Sequence, residues 1–421
     1  MSKAIQPHPR RFLPVAFTMA LFAALPMSAT ADDREVQVNL DTAGSTFNPV
    51  IEALDGGGFV VAWSRAGQPI TGRLLDALGQ PAGAEFAIGL STSGVRRAPS
   101  LEKLSDGRLV AVWAEGTPTF RFLSAEGLPV GGQFGADDVG TTDLPTVASA
   151  PDGGFLVAWD CLECAGDGWS VYSQRFDAAG HSVAGPIQLD GLAPGSRFGP
   201  SAISRDNSGF LVVWNTIRGT EGALSLRRLD VDGQPLGAEI ELDAAVDLGI
   251  RFAAAGAGDR FVTAVSSFSG DERLITLYRF DAFGNRIGAP FTASVDPPYG
   301  LSVERVSMDA AGQIDLLGRR ITDPDPTNFD RDVVALRFDF DEGLKAANFQ
   351  VNSRHRDDQY FADAVRTPDR FLVVWSSRGS FGDDDEGYSV QVRSSFGTLF
   401  ADGFESGDGG QWNFLVGGRT P

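Results

Sequence analysis

One unit recurs seven times along this chain, and the repetition limits its fold more than any other feature. Each copy holds a short apolar segment, an Asp/Gly turn, a strongly apolar segment, a variable loop, an alternating segment, a second Asp-x-x-Gly-like turn and a last alternating segment. The strongly apolar segments are FVVAW (59–63), LVAVW (109–113), FLVAW (155–159), FLVVW (210–214), FVTAV (261–265), IDLL (314–317) and FLVVW (371–375). Their ends lie 50, 46, 55, 51, 52 and 58 residues apart. Five of the seven tryptophans, Trp63, Trp113, Trp159, Trp214 and Trp375, take the last place in this segment, and Val265 and Leu317 stand there in the other two copies. A repeat of this length is one supersecondary unit that buries its apolar faces only by stacking on its neighbours.

The turns identify the segments as strands. Asp55 to Gly58, Asp106-Gly107 and Asp152 to Gly154 precede the apolar segments, and RFDAAG (175–180), RLDVDG (228–233) and RFDAFG (279–284) follow the third segments. Asp bonds its own turn backbone, and Gly takes the positive φ angles of tight hairpins. Segments of four to seven residues rich in Val, Phe and Leu between such turns are β-strands. Four per unit make one antiparallel sheet, which is marginal alone. The second strand is apolar on both faces, as a central strand sandwiched between neighbouring sheets must be, and its Trp is expected to fill the space between them. Arg175-Asp177, Arg228-Asp230, Arg279-Asp281 and Arg337-Asp339 are two apart and share a strand face, so exposed ion pairs are expected there.

The seventh unit lacks a fourth strand. Units three, four and six close on IQLD (187–190), IELD (240–243) and FQVN (349–352), whereas VQVN (36–39) stands alone before the first unit. This segment is expected to supply the outer strand of the last sheet beside 388–393, removing the open seam of a ring. The fold class is therefore all-β, with seven four-stranded blades and the last closed by the N-terminal strand.

Pro49, Pro99, Pro145 and Pro200 near the first strands, the Asp-Gly turns, the apolar-Trp segments and Arg-Phe-Asp-x-x-Gly form a consensus. With it, residues 35–398 resemble the seven-bladed β-propellers found as repeat arrays in large secreted bacterial proteins. The resemblance implies the fold and an exported setting and brings no active site with it. The tail, 399–421, contains FADGFESGDGGQW (400–412), which resembles a short C-terminal segment of other exported Gram-negative proteins.

Residues 1–31 read as a signal peptide: Lys3, Arg10 and Arg11, an apolar run from Phe12 to Met27, then Ala29-Thr30-Ala31. Removing them takes away three positive charges and no negative ones, so a chain of net charge −20 becomes one of −23. That charge repels phosphates and argues against nucleic acid as a partner. No later segment is long and apolar enough to span a bilayer. A secreted or periplasmic monomer with a protein or glycan ligand is expected.

Candidate chemistry is sparse. Cys161 and Cys164, a CxxC after Trp159, are expected to form a local disulfide in an exported protein. Asp323, Asp325, Asp330 and Asp332 in one loop, and Asp383 and Asp385 in the corresponding loop of the last blade, are candidate calcium ligands, since calcium collects six to eight oxygens; neither loop has EF-hand spacing, and no other cofactor is expected. No nucleophile–base pair is visible, and His181 and His355 lie in different blades. No copy carries the Ser-x-Asp-x-Gly-x-Thr-Trp turn of sialidase-like propellers, whose Tyr would have Tyr299 or Tyr360 as counterpart. A binding or interaction module is the leading expectation. A polysaccharide-active hydrolase or lyase using channel-mouth carboxylates is the alternative, and a structural cell-surface role is the third reading. Carboxylates converging on the channel would favour catalysis.

Overall fold

A computed structural model describes residues 35–396, apart from 43, 92–96, 138–139, 141, 166–167, 192–194, 243–251, 270–271, 294–299, 323–329, 354–357, 369 and 379–386. Residues 1–31, expected to be a signal peptide, and the 399–421 tail lie outside the described residues.

The chain forms seven four-stranded antiparallel sheets arranged as the blades of a β-propeller. In blade 1 the strands run Thr46–Ala53, Phe59–Arg65, Thr71–Leu75 and Pro81–Ala87, each paired with the next. The first strands of blades 2 to 7 are Arg97–Lys103, Thr142–Ser149, Ser196–Ser204, Phe252–Ala257, Leu301–Met308 and Gln359–Arg366. Each lies beside the first strands of both neighbouring blades, so the seven form a closed ring around a channel. Six of them carry a bulge, and in five a residue in the left-handed region sits at it: Asn48, Ala98, Leu144, Gly199 and Phe361. Bulges twist an edge strand away from further pairing.

Blade 7 closes as expected. Glu35–Gln37 pairs with Ser389–Phe396, with Val36 opposite Val392. Val38 N–H donates to Val390 O at 2.7 Å, and Asn39 Oδ1 accepts Val390 N–H at 2.8 Å. Blade 6 makes the same two bonds within continuous chain, Val351 N–H to Val333 O and Val333 N–H to Asn352 Oδ1. Asp190 and Leu189 repeat them on Val171 in blade 3. The N-terminal segment thus replaces a covalently linked strand bond for bond.

The core lies between blades. Trp63 packs against Val374, Val390 and Val392 of blade 7, and Trp113 against Ile70 and Ile88 of blade 1. All five of these tryptophans are fully buried. Blade 6 corrects the sequence alignment by one residue. Ile314 lies opposite Phe338 as Phe155 lies opposite Phe176, so the Trp position is Gly318, not Leu317. A Cβ on Gly318 would meet Leu301 Cδ1 at 2.9 Å and Ile275 Cδ1 at 3.4 Å. Those two side chains occupy the volume that Trp fills elsewhere.

The Arg–Asp pairs also differ from expectation. Asp177, Asp230 and Asp281 use Oδ1 to accept the amides two and four residues ahead. The turn satisfies each Asp, and the Arg is drawn into the blade seam. Arg175, 3 % exposed, bonds Asp152 at 2.7 Å and reaches Val231 O in the turn of the next blade. Arg279 reaches Phe340 O at 2.7 Å, and Arg228 lies over the Phe283 ring. These arginines join a blade to the turn of the following one, while Arg337 bonds Asp315 within its own blade.

Candidate functional site

The first strands start at one end of the channel, and a cavity of about 450 Å³ opens there. Its rim is apolar: Pro49, Pro99, Leu144, Phe198, Phe252 and Phe361. Blades 1 and 2 contribute repeated X-Pro bulges, so much of the rim is a by-product of the repeat. The charge is not repeated. It enters from blades 6 and 7, where Arg305 Nε meets Asp363 Oδ1 at 3.0 Å, and the other Asp363 oxygen accepts Ile51 N–H of blade 1 at 3.1 Å. Glu304, its side chain 2 % exposed, faces Arg319 Nε at 3.5 Å.

Behind this sector Tyr360 and Tyr388 meet edge to face, with centroids 4.9 Å apart. Tyr388 donates to Asp358 Oδ2 at 3.3 Å, and Arg331 holds Asp358 Oδ1 at 2.8 Å. Burial and the neighbouring Asp358 charge raise both tyrosine hydroxyls above their ordinary range, so neither is activated as a nucleophile. Tyr299 and His355 lie outside the described residues, and His181 is exposed on a turn beside Asp177.

Deeper in the channel a second cavity of about 380 Å³ holds Glu52 and Glu102 near Arg305 and Arg366. Burial, reinforced by the charges of Glu102 and Asp363, pushes the Glu52 carboxyl up to about 8. Burial also raises Glu102, against the Ser149 N–H and hydroxyl that bond its Oε1 at 3.1 and 2.7 Å. Asp315 rises to about 6, chiefly by burial, although Arg337 and Arg366 flank it at 2.8 and 2.7 Å. Arg305 lines both cavities and links the rim to the carboxyls below.

Glu52 also sets a pH dependence of stability. Its folded value lies above the ordinary 4.5, so between about 4.5 and about 8 the native state binds more protons than the unfolded chain. Stability contributed by this group therefore falls as pH rises through that window and is level above it. Thermal melts across the window should show the Glu52→Gln protein losing less stability towards alkaline pH than the parent.

Of the calcium candidates singled out in the sequence, Asp330 and Asp332 are among the described residues. Asp323, Asp325, Asp383 and Asp385 lie outside the described residues. Asp330 accepts Thr322 through its backbone carbonyl, and Asp332 is fully buried with Oδ2 on Arg320 and Oδ1 on Asn352, both at 2.8 Å. Cys161 and Cys164 are joined as a disulfide in the blade 3 loop. Among the described residues, no three or more His, Cys, Asp or Glu side chains gather as a metal site. The channel residues Glu52, Glu102, Arg305 and Asp363 were missed. For the two glutamates the signal is positional: opposite the second residue of each apolar segment (Val60, Val110, Leu156, Leu211, Val262, Asp315 and Leu372) stand Glu52, Glu102, Ala148, Ile203, Ala255, Ser307 and Val365. Two carboxyls in a column otherwise small or apolar are departures from the repeat.

No family model matches the chain, and no curated protein matches it in sequence. Solved structures do resemble it. A protein of unknown function from Dyadobacter fermentans superposes with a TM-score of 0.51 at 10 % identity, over 86 % of this chain and 97 % of its own. The polysaccharide lyase Uly1 gives 0.49 at 9 %, over 88 % and 94 %. An α-L-arabinanase from Penicillium chrysogenum bound to arabinobiose gives 0.46 at 11 %, over 71 % and 92 %. At these identities the likeness shows the propeller fold alone.

Proposed function

We propose that the protein is exported, acts as a monomer, and cleaves a neutral polysaccharide in its channel by acid–base chemistry. One observation carries this reading. The channel brings together the Glu52 carboxyl, which burial raises to about 8, and Asp363, ion-paired with Arg305. Glycosidic cleavage needs such a division, one carboxyl protonating the leaving oxygen while another stays charged. Glu52 is the proton donor in this scheme and Asp363 the charged partner, with Phe198, Phe252 and Phe361 offering apolar faces to sugar rings. A net charge of −20 disfavours uronic-acid polymers and leaves neutral chains as the substrate class.

A second reading, retention of a glycan without cleavage, has its own support. Asp363 and Glu102 each bond backbone of the following blade, a tie that structure alone would require. Incubation with a panel of neutral and acidic polysaccharides separates the two. Cleavage predicts new reducing ends with the parent and a loss of about 10²-fold or more with Glu52→Gln, while binding persists. Binding with no product from any polymer would leave the retention reading standing alone.

A further inference from the structure

Among the described residues, Trp169 is the one tryptophan that does not fill a seam between blades. The other five are fully buried, whereas Trp169 is half-buried. It opens the third strand of blade 3, Trp169–Phe176, directly opposite Leu162, which ends the second strand and is 39 % exposed. The two side chains share the face of Ala158 and Val171, which pack with Trp214 of blade 4. The repeat does not call for tryptophan at this place. The corresponding residue is Gly222, Arg273 and Arg331 in blades 4, 5 and 6, and the pairing of blades 1, 2 and 7 stops short of it. The hairpin that carries the pair is braced on both sides. Cys161 and Cys164 are joined, and a Cβ on Gly140 would meet Cys164 Sγ at 2.8 Å. On the other side a Cβ on Gly168 would meet Ser196 Oγ of blade 4 at 3.0 Å, and Glu163 N–H donates to Gly168 O at 2.8 Å across the loop.

Polar capacity is unspent beside these two apolar side chains. The Trp169 indole N–H donates to nothing and is open to solvent, and the carboxylate of Glu163, an exposed residue, makes no hydrogen bond or ion pair. The hairpin stands at the mouth end of the channel: Thr142, two residues before the rim residue Leu144, lies opposite Cys161. Strand spacing puts the third strand about 10 Å outward of the first, so Leu144 and Phe198 on the rim and Leu162 and Trp169 outside it follow one seam. A protein partner needs far more apolar surface than two side chains, roughly 800 Å² per partner, and a net charge of −20 repels anionic lipid. A sugar ring fits, because its C–H face matches the flat indole and its hydroxyls match the indole N–H and a free carboxylate. We propose that Trp169, Leu162 and Glu163 form an outer subsite for a neutral polysaccharide chain that leaves the channel mouth over the seam of blades 3 and 4. The disulfide-braced hairpin holds the subsite ready and lowers the ordering cost of binding. The inference rests on the polysaccharide reading and adds that the ligand is a polymer, bound outside the channel as well as within it.

Affinity electrophoresis of the full chain through gels holding galactomannan, xyloglucan, β-glucan or dextran reads binding without requiring cleavage. At least one polymer should retard the parent. Trp169→Ala should weaken that binding by about tenfold, and Trp169→Tyr, which keeps an aromatic face, should restore most of it. The disaccharide unit of the same polymer, too short to reach from the channel to the hairpin, should bind the parent and Trp169→Ala alike. Retardation of Trp169→Ala equal to that of the parent, or a loss that Trp169→Tyr does not restore, would overturn the subsite and leave the channel reading standing. A parent that no polymer retards would also overturn it, and release of reducing ends from the same polymers then decides whether the channel reading falls with it.

Discussion

Deleting residues 34–41 should lower the melting temperature more than any other truncation that leaves the repeats intact. The segment is short, but its contacts are those of a core strand. Val38 is fully buried with Val390 and Val392 against Trp63. Each such valine contributes roughly 1.5–3 kcal/mol on burial. Two charged side chains lose partners as well: Arg73 Nη1 donates to Val38 O at 2.6 Å, and Arg65, 6 % exposed, pairs with Asp41. Blade 7 would be left with a three-stranded sheet whose exposed edge begins at 389. The loss should total about 5 kcal/mol or more, a fall of roughly 6 °C or greater. Differential scanning calorimetry against a chain beginning at residue 32 measures it directly. A change of a degree or less would mean that the ring does not depend on this strand.

The second large effect belongs to the tryptophans between blades. Replacing Trp63 or Trp375 by Ala should cost about 3–5 kcal/mol, because neighbouring sheets cannot collapse into the cavity without moving the ring. Replacement by Phe separates the two positions. Trp63 Nε1 has no hydrogen-bond partner, whereas Trp375 Nε1 donates to Gln359 Oε1 at 2.9 Å, both groups being buried. Trp375→Phe should therefore be the less stable of the two by about 1 kcal/mol. Chemical denaturation of the four proteins resolves this difference, and equal costs for the two Phe variants would show that the indole bond contributes nothing.

The architecture was legible because the repeat states each structural requirement several times. VQVN (36–39) could be assigned to blade 7 by its likeness to FQVN (349–352), and the structure shows why: Asn39 and Asn352 make the same bond. Single departures were harder to read. Gly318 was misplaced by one residue because IDLL offers no aromatic to align on, and its volume is supplied by Ile275 and Leu301 from other strands. Arg175 looked like half of a surface pair since its neighbour Asp177 is two residues on. Only the spatial proximity of the next blade reveals Asp152 and Val231 as its partners. The channel residues were missed for a related reason. Glu52, Glu102, Arg305 and Asp363 come from four blades, across more than three hundred residues of chain, and ring closure is what brings them together.

The proposed cleavage needs a channel carboxyl that keeps its proton at neutral pH, and burial, by raising Glu52 to about 8, makes that residue the candidate. A carboxyl ¹³C NMR titration of the parent and Glu52→Gln proteins tests this most directly. One glutamate resonance should titrate with a midpoint near 8, be missing from the variant, and shift when a cleavable oligosaccharide is added to the parent. If every glutamate outside Glu102 titrates in the ordinary range near 4.5, the proton donor assigned to the channel does not exist.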